Sequence, residues 1–398
     1  MTDKNDNLIP KLRFPEFKND GKWGQKLVKG VCSIETGKSN TQDQDVNGLY
    51  PFFIRSENPV KSNKYLYDCE SVITIGDGKI GQVFHYINGK FDLHQRCYKM
   101  SDFHGVDGKY FFYYFSSHFY ERAMRMSAKA TVDSVRLEMI SEMPIYLPSM
   151  KEQKRIADFL TSLDDLLSGT KAKLEQLNTH KKALLQRLFP VPGKTVPEFR
   201  LPAFRSDGEW RVLRLDEVAK KRTQRNTELL KLPVLTNSAA AGVVNQFEYF
   251  DREIVSNENL SNYFIVEKND FVYNPRISSV APVGPISRNK VGLGIVSPLY
   301  SVFGFSEGCI DFFEQFFQSN NWHKYLKEKA NYGARYDRIN ISSQDFWALP
   351  IPFPNINEQQ RIASLLLTVD EMINGYTLQV KTLEEYKKGL LQQLFPAS

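Results

Sequence analysis

The end of this chain repeats its middle. The segment Ile145 to Pro190, IYLPSMKEQKRIADFL through ALLQRLFP, returns without a gap as Ile351 to Pro396, 206 residues later. A second pair leads into the two copies: PKLRFPEFKNDGKW, Pro10 to Trp23, matches PEFRLPAFRSDGEW, Pro197 to Trp210, 187 residues on. A tandem duplication of this kind constrains folding strongly, because whatever one copy packs against, the other must find as well. The stretches from Trp23 to Pro144 and from Trp210 to Pro350 show little similarity and differ in length by 19 residues. Each unit is therefore a shared frame around its own filling, and the chain carries two different recognition surfaces in two equivalent places.

With 398 residues the chain has room for two globular cores and extra elements. No apolar run approaches the roughly 20 residues of a membrane span. The start, MTDKNDNLIPK, lacks the apolar core of a secretory signal, and Cys32, Cys69, Cys97 and Cys309 form no C-x-x-C pair. The expectation is a cytoplasmic protein with free thiols and no membrane association. The net charge of +6 permits nucleic-acid binding. Residues 1–147 carry 20 basic and 18 acidic side chains and residues 196–352 carry 19 and 18, so neither filling is a basic block. Any contact with nucleic acid must come from locally placed Lys and Arg.

Each repeated segment reads as a long helix. A proline (Pro148, Pro354) precedes a cap residue (Ser149, Asn355), and a Glu follows three residues later (Glu152, Glu358), so that cap and Glu can both satisfy amides of the first turn. From there a seam steps by alternating three and four: Ile156, Leu160, Leu163, Leu167, Thr170, Leu174, Leu177, Lys181, Leu184, Leu188. The second copy gives Ile362, Leu366, Val369, Ile373, Tyr376, Val380, Leu383, Lys387, Leu390, Leu394 in the same register. Seams this long, with polar steps at matching places, predict two helices packed on each other as an antiparallel coiled coil, an internal pseudo-two-fold repeat and a ruler between two domains, with each helix packed on its own globular domain as the alternative. Gly169 and Gly375 are expected to permit close approach or a bend.

The fillings read as α+β domains with twisted sheets. Ser71–Ile75, Gln82–Tyr86, Asp270–Tyr273 and Gly294–Phe303 are strand-like, and helices are expected over Lys109–Met126 and Phe312–Lys329. Three apparent catalytic motifs fail. GDGKIG, Gly76 to Gly81, has the dinucleotide spacing, but the QVFHYINGKFDL that follows alternates like a strand and breaks at Asn88-Gly89, which makes a glycine-rich hairpin. Thr36-Gly37-Lys38-Ser39 lacks the first glycine of a phosphate loop, whose place is taken by Cys32. In Asn274-Pro275-Arg276-Ile277, Arg and Ile replace the decisive residues of the amino-methyltransferase signature. The six histidines form no metal-spaced pair, and no catalytic or metal site is expected.

What remains is polar and basic material beside turns. Arginine suits guanine edges, Asn and Gln suit adenine, and Ser, Thr and Lys position on phosphates. The candidates for DNA contact in the first filling are Lys38, Ser39, Asn40, Arg55, Lys79, Gln95, Arg96, Lys129, Thr131 and Ser134. In the second they are Arg222, Gln224, Arg225, Asn226, Arg276, Ser278, Tyr332, Arg335, Tyr336 and Arg338. The clusters Lys220–Asn226 and Tyr332–Arg338 come from opposite ends of the filling and offer the same chemistry, as they would on one common surface. Each candidate, taken singly, also fits a solvated loop.

The duplicated frame resembles the specificity subunit of type I restriction–modification systems. The resemblance covers nearly the whole chain. It rests on the segments ending DGKW and DGEW, on MPIYLPSMKEQKRIA and LPIPFPNINEQQRIA, and on helices ending ALLQRLFP and GLLQQLFP. It implies target-recognition domains at 1–147 and 195–353, conserved spacer helices at 148–194 and 354–398, and a non-catalytic subunit that reads a bipartite double-stranded DNA site. The implied partners are two methyltransferase subunits, which carry S-adenosylmethionine and methylate an adenine in each half-site, and motor–nuclease subunits where restriction accompanies modification. This chain would bind no cofactor itself. Glu152, Gln153, Arg155, Glu358, Gln359 and Arg361 are placed by the resemblance near the modification subunits. Two other classes stay open: a one-chain methyltransferase, which needs a cofactor domain these residues do not supply, and a coiled-coil scaffold for protein partners.

Overall fold

The computed structural model describes residues 9–126, 134–250, 257–330 and 337–396. The chain divides into two units, Met1–Ala172 with Leu378–Ser398, and Lys173–Thr377. Each unit thus takes part of both long helices.

The first unit runs β1 (Gly24–Leu27), β2 (Ser33–Thr36), β3 (Tyr50–Phe53), β4 (Val60–Ser62), β5 (Tyr67–Ile75), β6 (Phe84–Leu93), β7 (Cys97–Ser101), α1 (Gly108–Arg125), α2 (Leu137–Ser141), β8 (Pro144–Leu147) and the start of α3 (Met150–Leu188). Six strands form one sheet in the order β2-β7-β5-β6-β3-β4, with β3 parallel to β6 and the other pairs antiparallel. The last five residues of β5 are all buried because both faces of the strand are covered. Val72 joins the core under α1, while Ile73 and Ile75 pack with Phe53, Phe91 and Leu93 on the other side, the two-residue period of a strand. Asp107 caps α1 through the Tyr110 N–H, and the helix then buries Tyr110, Phe111, Tyr114, Phe115 and Phe119.

The second unit contains β9 (Arg211–Arg214), α4 (Leu215–Val218), β10 (Ala219–Lys221), β11 (Leu235–Ser238), β12 (Gly242–Asn245), α5 (Gln246–Phe250), β13 (Phe264–Val266), β14 (Phe271–Tyr273), β15 (Ile286–Arg288), β16 (Gly294–Val296), β17 (Ser301–Phe305), α6 (Ile310–Gln318), α7 (His323–Lys329), α8 (Ser343–Trp347), β18 (Pro350–Phe353) and the start of α9 (Ile356–Leu394). Its sheet has four strands, β10-β17-β14-β15, and β11–β12 and β13–β16 form separate pairs.

The main bonds of the frame recur in both units. Strands β1 and β8 pair Gly24 with Leu147, and β9 and β18 pair Arg211 with Phe353, the matching positions of the repeat. Arg13 clamps Glu152 with two hydrogen bonds of 2.8 and 2.7 Å and donates to the Asp20 carbonyl at 2.7 Å. Arg200 clamps Glu358 at 2.9 and 2.8 Å and donates to the Asp207 carbonyl at 2.7 Å. The hydrogen bond to its glutamate raises the pKa of each guanidinium. Inside the first unit α3 and α9 run antiparallel, with Asp164 bonded to Lys387 and Lys171 to Glu384. Inside the second, Lys181 bonds Asp370. A side chain from the filling closes each Lys–Asp pair: the Tyr113 hydroxyl donates to Asp164 at 2.8 Å, and the Gln315 amide donates to Asp370 at 3.0 Å. All twenty seam residues are buried or half-buried.

Several local expectations differ. Glu152 and Glu358 do not return to their caps. Ser149 and Asn355 do accept the Glu152 and Glu358 amides, but the carboxylates turn to the arginines, since a buried charge needs a bidentate partner more than an exposed amide does. The strand expected to break at Asn88-Gly89 runs on to Leu93, because Gly89, at φ +139°, stays in register opposite Cys69. Phe312–Lys329 is two helices. Ser319 bonds the Phe316 carbonyl and Asn321 the carbonyls of Phe189 and Pro190, and these bonds end α6. Gly294–Phe303 is two strands in different sheets, separated by a turn in which the Tyr300 N–H meets the Ser297 carbonyl. Gly169 and Gly375 are exposed with open space around them, so neither serves close approach.

Candidate functional site

In the first unit four loops converge on Asp77. Residues 37–40 follow β2, 54–58 follow β3, 76–81 follow β5, and 94–96 join β6 to β7. Backbone bonds stitch them together: Gly76 N–H to the Arg96 carbonyl at 2.7 Å, Gln95 N–H to Ser39 at 2.9 Å, and His94 N–H to Phe53 at 3.0 Å. Asp77 accepts from Arg55 and from Arg96, each at 3.3 Å. Beside it, Lys79 pairs with Glu57 at 2.6 Å and the Gln95 amide donates to Asn40 at 2.6 Å. Lys38 is exposed next to them, and Ser134 stands one residue before Val135, whose N–H bonds the Gly76 carbonyl. Burial lowers the pKa of His94; the Arg55 charge adds to this, Asp77 opposes it, and Arg96 lowers it again. Burial also pushes the Cys97 thiol up to about 12, which leaves it protonated and unreactive at neutral pH.

Seven of the ten first-filling candidates, Lys38, Asn40, Arg55, Lys79, Gln95, Arg96 and Ser134, therefore gather around one turn. Ser39 does not join them. It is buried, with its hydroxyl on Asp92 at 2.6 Å, and holds the loop rather than facing solvent. Lys129 and Thr131 lie outside the described residues.

The second unit distributes its candidates. Arg222 donates to Asp270 at 3.0 Å at the start of β14. Near it Arg225 lies over the Phe264 ring at 5.2 Å and bonds Asn262, and Gln224 is exposed. Asn226 is buried, its amide bridging the N–H and carbonyl of Leu230, so it shapes the turn and faces no ligand. Beyond the other end of β14, Arg276 pairs in a β-bridge with Arg338, flanked by Ile277 N–H to Asp337 and Ile339 N–H to Pro275. Ser278 accepts the Ala281 N–H. Asp270 stands one residue before β14 and Arg276 three residues after it. Arg338 thus stands beyond the C-terminal end of β14, whereas the Arg222 guanidinium meets Asp270 just before its N-terminal end. Tyr332, Arg335 and Tyr336 lie outside the described residues.

Four of the residues expected at a subunit interface are interior. Glu152, Gln153, Glu358 and Gln359 are at most 1% exposed. The two glutamines hold the fillings: the Gln153 carbonyl accepts the Asp107 N–H at 2.9 Å, and that of Gln359 accepts the Cys309 N–H at 2.8 Å. Strong recurrence in the sequence signalled importance, but these bonds make it intrachain. Arg155, paired with Glu16 at 3.2 Å, and Arg361 are exposed. Sequence reasoning missed Asp77, Asp270, Arg13 and Arg200. The two arginines were readable, since they occupy matched positions of the repeat; the two aspartates carried no signal, being acidic residues amid a basic search.

Among the described residues no group of His, Cys, Asp and Glu could hold a metal ion, and no helix is long and apolar enough to cross a membrane. Two equivalent frames presenting different arginine-bearing loops define a duplicated recognition protein. The family described as the type I restriction modification DNA specificity domain matches the chain twice, over residues 21–179 and 207–382, and the chain belongs to that family. A putative type I restriction enzyme MjaX specificity subunit from Methanocaldococcus jannaschii is 26% identical over 306 residues, 72% of this chain and 67% of that protein. The type I restriction enzyme EcoDI specificity subunit of Escherichia coli is 27% identical over 180 residues, 45% of this chain and 40% of that protein. The solved S subunit of a type I restriction-modification system from M. genitalium shares the fold with a TM-score of 0.66 at 16% identity, covering 98% of this chain and 99% of that one.

Proposed function

We propose that this chain is the non-catalytic, sequence-reading subunit of a type I restriction–modification complex. Each unit reads one half of a bipartite double-stranded DNA site, the first through the loops around Asp77 and the second through the arginines flanking β14. The paired segments of α3 and α9 act as one antiparallel coiled coil that fixes the spacer between half-sites. The exposed frame around it docks two methyltransferase subunits, which bring S-adenosylmethionine and methylate adenine, and motor–nuclease subunits join for restriction. The domain boundaries follow the frame: recognition domains at 1–147 and 195–353, spacer helices at 148–194 and 354–398. The observation that carries this reading is the recurrence of the arginine–glutamate clamp, the glutamine–backbone bond and the Lys–Asp pair in both frames, around fillings with different polar loops.

The test lengthens the ruler. One heptad is inserted between Ala172 and Lys173 and another between Thr377 and Leu378, positions that leave every bond inside each unit in place. Seven residues add roughly 10 Å of helix, about three base pairs. Sequencing modified bases in cells carrying this chain and its modification partner should give a bipartite site whose spacer grows by that amount with both halves unchanged. An unchanged spacer would refute the ruler, and modification without sequence preference would favour a scaffold instead.

A further inference from the structure

The glycine-rich turn Gly76–Gly81 opens no helix, yet its backbone is tightly specified. A Cβ at Gly76 would lie 2.7 Å from the Arg96 carbonyl oxygen, and one at Gly81 would lie 2.8 Å from the Tyr120 Cα. Gly78 and Gly81 both have positive φ, +84° and +67°. These constraints press the turn against Arg96 and set Asp77 between two arginines brought by two other loops. The carboxylate is 19% exposed, while the Arg55 and Arg96 side chains are 49% and 63% exposed. Pairs this open contribute little to folding stability. A carboxylate on a DNA-facing surface also repels phosphate. Stability and non-specific affinity therefore both fail to explain why a turn is built to hold it there.

We propose that Asp77 is a positioning residue that determines specificity: it orients the guanidinium forks of Arg55 and Arg96 to read a guanine edge, O6 and N7, in the half-site of the first unit. This rests on the DNA-reading proposal above. The bonds to Asp77 engage Nη1 of each arginine, so each fork is held from one side. A long side chain already held in place loses less rotamer freedom on binding, and the bidentate arginine–guanine contact gains in selectivity.

The full chain, assembled with its modification subunits, is used to select from a randomised duplex pool, and the bound sequences are read. The wild type should specify both half-sites. Asp77→Asn should lose guanine preference at one or two positions of one half-site, roughly tenfold in discrimination, with affinity for random duplex unchanged or raised. The other half-site, read by the second unit, should remain and shows that the chain is folded. Combining Asp77→Asn with Arg55→Ala and Arg96→Ala should add nothing beyond the two arginine changes. If Arg55→Ala and Arg96→Ala erase those positions while Asp77→Asn keeps them, the positioning role is overturned and the DNA reading stands. If none of the variants alters either half-site, the reading of this face itself fails. A loss of cognate and random affinity together, with a lowered melting temperature, would make Asp77 structural and also overturn the proposal.

Discussion

The first unit gathers the exposed Arg55 and Arg96 around a single carboxylate, beside one six-stranded sheet. The second sets Arg222 and Arg338 at opposite ends of β14, within a smaller sheet flanked by separate strand pairs. Both are held by frames that share the arginine–glutamate clamp, the glutamine–backbone bond and the Lys–Asp pair. The frame grips each filling through its backbone: Gln153 and Gln359 take the N–H groups of Asp107 and Cys309, which any residue but proline would offer. Where a filling side chain is used it differs, Tyr113 in one unit and Gln315 in the other, while the Lys–Asp pair it closes is kept. Attachment through the backbone lets a binding surface change without disturbing what carries it.

The sharpest test of frame equivalence is the buried clamp. Arg13→Ala leaves Glu152 buried without its partner, and Arg200→Ala does the same to Glu358. Breaking a buried pair from one side costs about 3–5 kcal/mol. Hydrogen exchange should show each substitution loosening its own unit, by similar amounts; a large asymmetry would break the equivalence. Next in size are the arginines of the second unit. Arg222→Ala and Arg338→Ala should each weaken cognate binding roughly tenfold if each makes a base contact. Because Arg222 bonds Asp270 and Arg338 bonds Asp337, with no partner shared, their free energies should add within about 0.5 kcal/mol in the double variant. Strong coupling would place both on one contact and contradict the division between the two ends of β14. The smallest effect concerns the helices. Gly169→Ala and Gly375→Ala meet open space, and each should stabilise by about 1 kcal/mol, read as a raised denaturation midpoint. A loss in either would mean that its glycine is needed for a contact.

The frame was legible in the sequence because it is written twice. Two registers that agree over ten seam positions leave little freedom, and all ten are covered in both helices. The fillings have no second copy to check against, and there the errors collect. Asn88-Gly89 has turn composition but lies inside β6, where pairing with β5 overrides local preference. Ser39 and Asn226 have the chemistry of DNA contacts and spend it on Asp92 and Leu230, since the residues that bind well are also those that tie turns together. Asp77 stood inside the one motif weighed for a cofactor, and its partners come from loops 19 and 22 residues away. Only the fold brings them together.

Exchanging one reader shows most directly whether one frame carries two independent readers. Residues 28–143, between β1 and β8, are replaced by the equivalent stretch of another family member, and modified bases are sequenced in DNA from cells carrying the hybrid and its modification partner. One half of the modified sequence should change while the other half and the spacer stay as they were. A change in both halves, or in neither, would contradict the independence of the readers.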